Sequence, residues 1–108
     1  MLEHCVFCQI QPETPPAMID SILSCLGSLQ SVVDGMQAFR AGPNRDYESK
    51  SGRYTLGFIC TFRDRAAHLA YDAHPVHRAA GADLVAICVG GSAGITVFDL
   101  DIGAAVAS

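Results

Sequence analysis

The chain has 108 residues, half of them hydrophobic, and a formal net charge of −4 at pH 7. A chain of this length is typical of one domain with one hydrophobic core. Its seven lysines and arginines are scattered, which argues against nucleic acid as a partner, and the net negative charge argues against an anionic membrane surface. No apolar run reaches the roughly 18 residues that span a bilayer. The N-terminus lacks a signal-peptide pattern, so we expect a cytoplasmic protein.

The five cysteines are an odd number, as in proteins of a reducing compartment. Cys5 and Cys8 form a Cys-x-x-Cys pattern in a segment that is predicted to be a strand. Residues at an odd separation on a strand point to opposite faces, so we expect neither a shared metal ion nor a redox disulfide. Both cysteines are predicted to be small buried hydrophobic side chains.

The first half of the chain predicts a strand, a helix and a second strand. Residues 2–10 are apolar on both faces, as in a covered central strand. Thr14 is expected to be the N-cap of a helix with prolines at its first positions. This helical segment should end at Asp34-Gly35. A strand over residues 36–41 and a hairpin-type loop over residues 45–52 are expected to follow.

The second half predicts a strand, a helix that breaks once, and a last strand. Residues 53–62 alternate clearly, with Tyr54 expected on the same face as the apolar side chains that follow it. Asp64 is placed to cap a helix. His74-Pro75 should break this helix, because a residue before proline avoids the helical conformation, and a further helix then runs to about position 88. Residues 95–102 form the last strand.

This order of elements is typical of a split β-α-β unit. It predicts an α+β, ferredoxin-like fold with a four-stranded antiparallel sheet and helices on one face. A single domain is expected over residues 1–103, with a loosely ordered tail at 104–108. The other sheet face carries many apolar side chains and no covering element. We therefore expect a homodimer that forms through this open face and closes an α/β barrel.

The segment Tyr71-Asp72-Ala73-His74-Pro75-Val76-His77 is the most distinctive feature of the sequence. It resembles the Tyr-x-x-His-Pro-x-His signature of the stress-responsive dimeric α/β-barrel (Dabb) family, which includes the plant olivetolic acid cyclase. His4 in the first strand and Val97-Phe98-Asp99 in the last strand also fit this family. The resemblance implies a dimeric barrel in which His77 is the base, Tyr71 assists it, and His4 lies in the same pocket.

The residue types are compatible with this chemistry. His77 would lie in the first turn of a helix, where the positive end of the helix dipole keeps an imidazole neutral and able to accept a proton. Tyr71 is expected either to donate a hydrogen bond to a developing oxyanion or to be a core aromatic residue with a satisfied hydroxyl. His74 is expected to cap the helix that follows it. His74 and His4 are the ligand-binding candidates.

The other titratable residues are expected to have no functional role. His68 is predicted to face solvent on its helix. Asp99 and the other acidic residues show no paired arrangement and are expected to be solvated surface or turn residues. Residues 78–83 lack the aromatic side chains that the cyclase has after the matching histidine, which predicts a pocket of a different shape.

Three functions are open at this point. The first is binding of a small apolar carbonyl-bearing ligand, with cofactor-independent proton transfer carried by Tyr71 and His77. The second is a non-catalytic stress-response or structural homodimer in which the same motif braces the helix break. The third is a heme or quinol monooxygenase, because that chemistry occurs on the same barrel. A metal set of His74 and His77 with His4 or Asp72 lacks the i, i+4 spacing of a helical zinc pair, so we expect no metal and no cofactor.

Overall fold

The computed structural model describes residues 1–103, so the tail predicted at 104–108 lies outside the described residues. Short 3₁₀ helices lie at Leu29–Ser31 and Gly91–Gly94. The main elements follow in the order β1 (Leu2–Cys8), α1 (Pro16–Ser28), β2 (Met36–Pro43), β3 (Leu56–Phe62), α2 (Arg65–Ala73), α3 (Pro75–Ala86) and β4 (Ile95–Asp101). All strand pairs are antiparallel, and the order in the sheet is β2-β3-β1-β4. The ferredoxin-like α+β fold predicted from the sequence is confirmed.

The two faces of the sheet differ in what covers them. On one face, alternate side chains of β1 and β3 form the core together with Leu26 of α1 and Leu84 of α3. The other face, here named the open sheet face, is formed around Phe7, Ile59 and Phe98. No part of the described chain covers this surface fully, and Phe98 is 54% exposed. The predicted division into a covered face and an open apolar face is therefore observed.

Helix α1 begins later than the sequence predicts. Its N-cap is Pro15, not Thr14, and no side chain caps it. The backbone N–H of Thr14 donates to the carbonyl oxygen of Gln11 in a turn that precedes the helix. Pro15 itself is extended, with ψ at 135°, so the helix can start only at the following proline. The helical segment also ends earlier than the predicted stop at Asp34-Gly35, because α1 ends at Ser28 and the 3₁₀ helix that follows it ends at Ser31. Gly35, with a φ of +87° that glycine adopts readily, lies in the turn that leads into β2.

The third strand begins at Leu56, three residues later than expected, and this changes the position of Tyr54. The sequence predicts Tyr54 on the covered face. Instead, its hydroxyl lies 2.5 Å from the hydroxyl of Thr96, and the centroid of its ring lies 6.5 Å from that of Phe7, on the open sheet face. The prediction was wrong because the alternation of side chains cannot be extended beyond the end of a strand.

The junction between α2 and α3 follows the sequence closely. Asp64 caps α2 by accepting a hydrogen bond from the backbone N–H of Ala67 at 3.0 Å. His74 is extended, and its Nδ1 accepts from the backbone N–H of Val76 at 3.1 Å, which caps α3. Both predicted caps are confirmed. The junction places His77 in the first turn of α3.

Cys5 and Cys8 are both buried, and all five cysteines are free. Cys8 belongs to the core under the helices, whereas Cys5 lies on the other sheet face between Ile59 and Phe98 of the neighbouring strands. This confirms the prediction that they are small buried side chains on opposite faces. Within residues 1–103, no helix combines the length and the apolar character needed to cross a bilayer.

Candidate functional site

Histidine and aromatic side chains collect between the sheet and the α2–α3 junction. The centroid of the Tyr71 ring lies 4.5 Å from that of His77, 5.1 Å from that of Phe62 and 6.2 Å from that of His4. The ring of His4 in turn lies 4.6 Å from that of His68. The structure thus brings together three of the residues named from the sequence, His4, Tyr71 and His77, and adds His68 to them.

His77 is held in one orientation by the end of α2. Its Nδ1 lies 3.1 Å from the backbone carbonyl oxygen of Asp72. Because a carbonyl oxygen only accepts, Nδ1 carries the proton and Nε2 keeps its lone pair in the neutral ring. Burial lowers the pKa of His77, and the nearby Asp72 carboxylate opposes this shift. A neutral imidazole whose side chain is 23% exposed has the character of a general base.

Tyr71 fills the core beside His77. The residue is 1% exposed, and the Sγ of Cys60 on β3 lies 3.7 Å from its hydroxyl oxygen. Burial raises the pKa of Tyr71, so the hydroxyl stays protonated. A thiol is a weak hydrogen-bond donor and acceptor. The ring of Tyr71 thus lies next to the predicted base His77, and its hydroxyl lies beside Cys60 of β3 with only a weak partner there.

His4 is oriented by Asp99, which is predicted from the sequence to be a solvated acid. The two residues are direct partners in the β1–β4 ladder, and the Nδ1 of His4 lies 2.5 Å from the Oδ1 of Asp99. Because a carboxylate only accepts, His4 donates from Nδ1. Asp99 is exposed, as predicted, but its pairing with His4 was not predicted, since the register that places the two residues opposite each other is a tertiary property.

His68 is buried, although the sequence predicts that it faces solvent. It is 6% exposed, and its ring centroid lies 5.2 Å from that of Phe62. Its Nδ1 lies 2.6 Å from Nη1 of Arg65, and since a guanidinium only donates, this nitrogen accepts. Burial lowers the pKa of His68. A signal for this position was present, because His68 precedes Tyr71 by three residues, which is the spacing of neighbours on one helix face.

His74, the fourth predicted site residue, lies at the same junction and uses its Nδ1 to cap α3. Grooves also occur elsewhere in residues 1–103, and two of them are lined mainly by apolar atoms. One, of about 670 Å³, lies on the open sheet face and is lined by Phe7, Tyr54 and Phe98 among others. Another, of about 580 Å³, lies between the start of α1 and the end of β2. Neither groove is lined by Tyr71 or His77, so the histidine cluster is distinct from both.

The same fold occurs in several solved structures. A dimeric ferredoxin-like protein of unknown function from Jannaschia sp. CCS1 is 44% identical, with a TM-score of 0.89, over 94% of this chain and 98% of that chain. A hydroxynitrile lyase from Passiflora edulis is 19% identical, with a TM-score of 0.79, over 98% and 96% of the two chains. An antibiotic biosynthesis monooxygenase is 20% identical, with a TM-score of 0.69, over 95% and 99%. The last two show the fold alone. No protein with a curated description is significantly similar in sequence to this chain.

The family match agrees with the structure. The model of the Stress responsive A/B Barrel Domain family matches residues 2–102, which is nearly the whole described chain. The matched range includes the helix junction with Tyr71 and His77 and the strand that carries His4. The chain therefore belongs to the stress-responsive A/B barrel (Dabb) family.

Proposed function

We propose that this protein binds a small apolar molecule with a carbonyl group and moves a proton at the carbon next to that carbonyl, without a cofactor. The observation that carries the proposal is the hydrogen bond from Nδ1 of His77 to the carbonyl oxygen of Asp72, at 3.1 Å. This bond fixes the tautomer and leaves Nε2 as the basic atom. A base that is held in one orientation is suited to remove an acidic C–H proton.

The surroundings of His77 favour its neutral form. Burial is the largest influence on its pKa and lowers it, and the charges of His4 on β1 and Arg78 on α3 act in the same direction. Asp72 on α2 opposes them. The positive end of the α3 dipole adds to the lowering. Since the usual pKa of histidine is about 6.5, the proton-accepting form of His77 predominates at neutral pH.

Tyr71, His4 and His74 would support the base. The raised pKa of Tyr71 keeps a proton on its hydroxyl, and a protonated phenol is the form that donates to an oxyanion. A ligand that receives this bond must replace the weak contact with Cys60. We assign ligand positioning to His4, which Asp99 holds in place, and to His74 at the helix junction.

A second candidate is a non-catalytic homodimer, and the burial of Tyr71 favours it. The ring is packed between Phe62 and His77, and its hydroxyl already has a contact with Cys60. In this reading His77 covers Tyr71 and braces the break between α2 and α3. Likeness in fold does not favour heme or quinol monooxygenase chemistry over these two, because one fold hosts many functions.

The proposed assembly is a homodimer that forms through the open sheet face. Phe98 and Leu100 of β4 are about half exposed there, and Phe7 and Ile59 flank them. The relative from Jannaschia sp. CCS1 is described as dimeric. Pairing of two such faces about a two-fold axis removes apolar surface from water and closes a barrel. His4 and Tyr71 lie on the opposite side of the sheet, so each protomer keeps its own site.

Hydrogen exchange in D₂O tests the proposed chemistry. The protein is incubated with a small 1,3-diketone, a β-keto thioester or an aliphatic ketone, and the loss of the proton signal next to the carbonyl is followed by NMR. We expect the parent protein to accelerate exchange. His77→Asn should slow it by at least about 100-fold, the smallest usual contribution of a general base.

Val76→Ala is the matched control, since it alters an exposed side chain in the same turn of α3 and should keep the parent rate. The proposal fails if the parent exchanges none of the compounds faster than buffer does. It also fails if His77→Asn is as active as the parent while both proteins remain folded by circular dichroism. Either result would favour the non-catalytic homodimer.

A further inference from the structure

Three side chains of metal-ligand type meet next to Tyr71. They are His4 of β1, His68 of α2 and Asp99 of β4, and one donor atom of each lies within 4.8 Å of the others. We propose that these residues bind one divalent transition-metal ion, such as Zn²⁺, with further coordination positions left for water or a small ligand. Of these three residues, only His4 belongs to the metal set that was considered from the sequence. The proposal does not depend on His77.

The fold holds the three ligands on regular elements. His4 and Asp99 are fixed opposite each other by the β1–β4 ladder. His68 is in the first half of α2, which Asp64 caps, and its ring packs against Phe62 of β3. Ligands that are carried by strands and helices are positioned more accurately than ligands on loops. The cluster is therefore a prearranged set of donors.

The donor types select the class of metal. Two imidazoles and one carboxylate suit Zn²⁺, Cu²⁺, Ni²⁺ and Fe²⁺, whereas Mg²⁺ and Ca²⁺ prefer oxygen donors throughout. Bonds of about 2.0–2.2 Å place tetrahedral ligand atoms about 3.3–3.6 Å apart, so donor atoms that lie within 4.8 Å of one another must approach by at most about 1.5 Å. The carboxylate of Asp99 is partly exposed and can rotate to supply part of this closure.

Arg65 places a positive charge directly beside His68. Its guanidinium donates to Nδ1 of His68 at 2.6 Å, and it is a permanent cation. A divalent ion at the cluster must therefore displace this group or be repelled by it. Arg65 is an exposed residue in the first turn of α2, so its side chain can move into solvent. Removing it should strengthen metal binding, which no purely structural role of the cluster predicts.

Isothermal titration calorimetry with zinc chloride tests the proposal. The full chain is first stripped of metal with a chelator, and the affinity and the number of bound ions are then measured. We expect one ion per chain. Asp99→Asn and His68→Asn should each weaken binding by at least about tenfold, the lower end of the effect of outer-sphere partners alone. Arg65→Ala should bind zinc more tightly than the parent. His74→Asn is the matched control, because it removes a histidine outside the cluster and keeps a good N-cap residue.

Asp99 is exposed, so Asp99→Asn keeps the test decisive even where His68→Asn fails to fold. The proposal is overturned if the parent binds no zinc or if Asp99→Asn binds as tightly as the parent. Weakening by His74→Asn equal to that by Asp99→Asn would also overturn it, since the ion would then lie at the helix junction. His77→Asn should keep zinc binding while it loses hydrogen exchange, which separates this inference from the proposed function.

Discussion

Replacing Phe98 by serine tests the proposed dimer at an exposed aromatic residue of the open sheet face. In the single chain, 54% of the surface of Phe98 is exposed. A buried phenylalanine removes roughly 200 Å² from water, so about 100 Å² per protomer is available for burial at the interface. At about 25 cal/mol per Å² this area contributes about 2.5 kcal/mol. A two-fold dimer uses the same side chain twice, which gives about 5 kcal/mol.

The dissociation constant of Phe98→Ser should therefore exceed that of the parent by at least about a thousandfold. Sedimentation equilibrium over a wide range of concentrations measures this change. Leu69→Ser is the matched control, because Leu69 is 49% exposed but lies on α2, in the helical layer. Unchanged dimerisation of Phe98→Ser, or equal weakening by Leu69→Ser, would refute the assignment of the interface to the open sheet face.

Three further predictions concern single side chains. Asp64→Ala removes the cap of α2 and should lower the free energy of unfolding by about 1 kcal/mol in urea denaturation, whereas Asp64→Asn, which keeps an accepting oxygen, should retain most of it. Tyr71→Phe should cost less than about 1 kcal/mol, since its hydroxyl has only a weak contact with Cys60. A loss above about 2 kcal/mol would contradict this account of the hydroxyl. The pKa of His77 is lowered in the folded chain, so the unfolded chain binds more protons below about pH 6.5. The free energy of unfolding should therefore fall as the pH drops from about 6.5 toward the folded-state pKa of His77. Urea unfolding at pH 7.5 and 5.5 measures this fall in the free energy of unfolding, which should be smaller for His77→Asn than for the parent. An equal fall in the two proteins would show that the titration of His77 is not its cause.

Features that depend on neighbouring residues were predictable from the sequence. The caps at Asp64 and His74 were predicted correctly, because each involves a side chain and a backbone N–H two or three residues away. The turn at Gly35 and the break before Pro75 follow from the backbone preferences of glycine and proline. The errors at Thr14 and Tyr54 are errors of element boundaries, where a competing turn or the end of a ladder decides the position.

By itself, the sequence determined the order of the elements, the helix junction with Tyr71 and His77, and the apolar character of both sheet faces. Only the tertiary structure decided that Asp99 orients His4 and that His68 is buried against them. His4 and Asp99 are 95 positions apart, so their contact depends on the register of two strands and on no local pattern. The spacing of three residues places His68 on the same face of α2 as Tyr71, but only the rotation of α2 against the sheet decides that this face is buried beside His4. Contacts of this kind between distant residues depend on strand register and on the packing of the whole core, and the short-range periodicity of the sequence does not specify them.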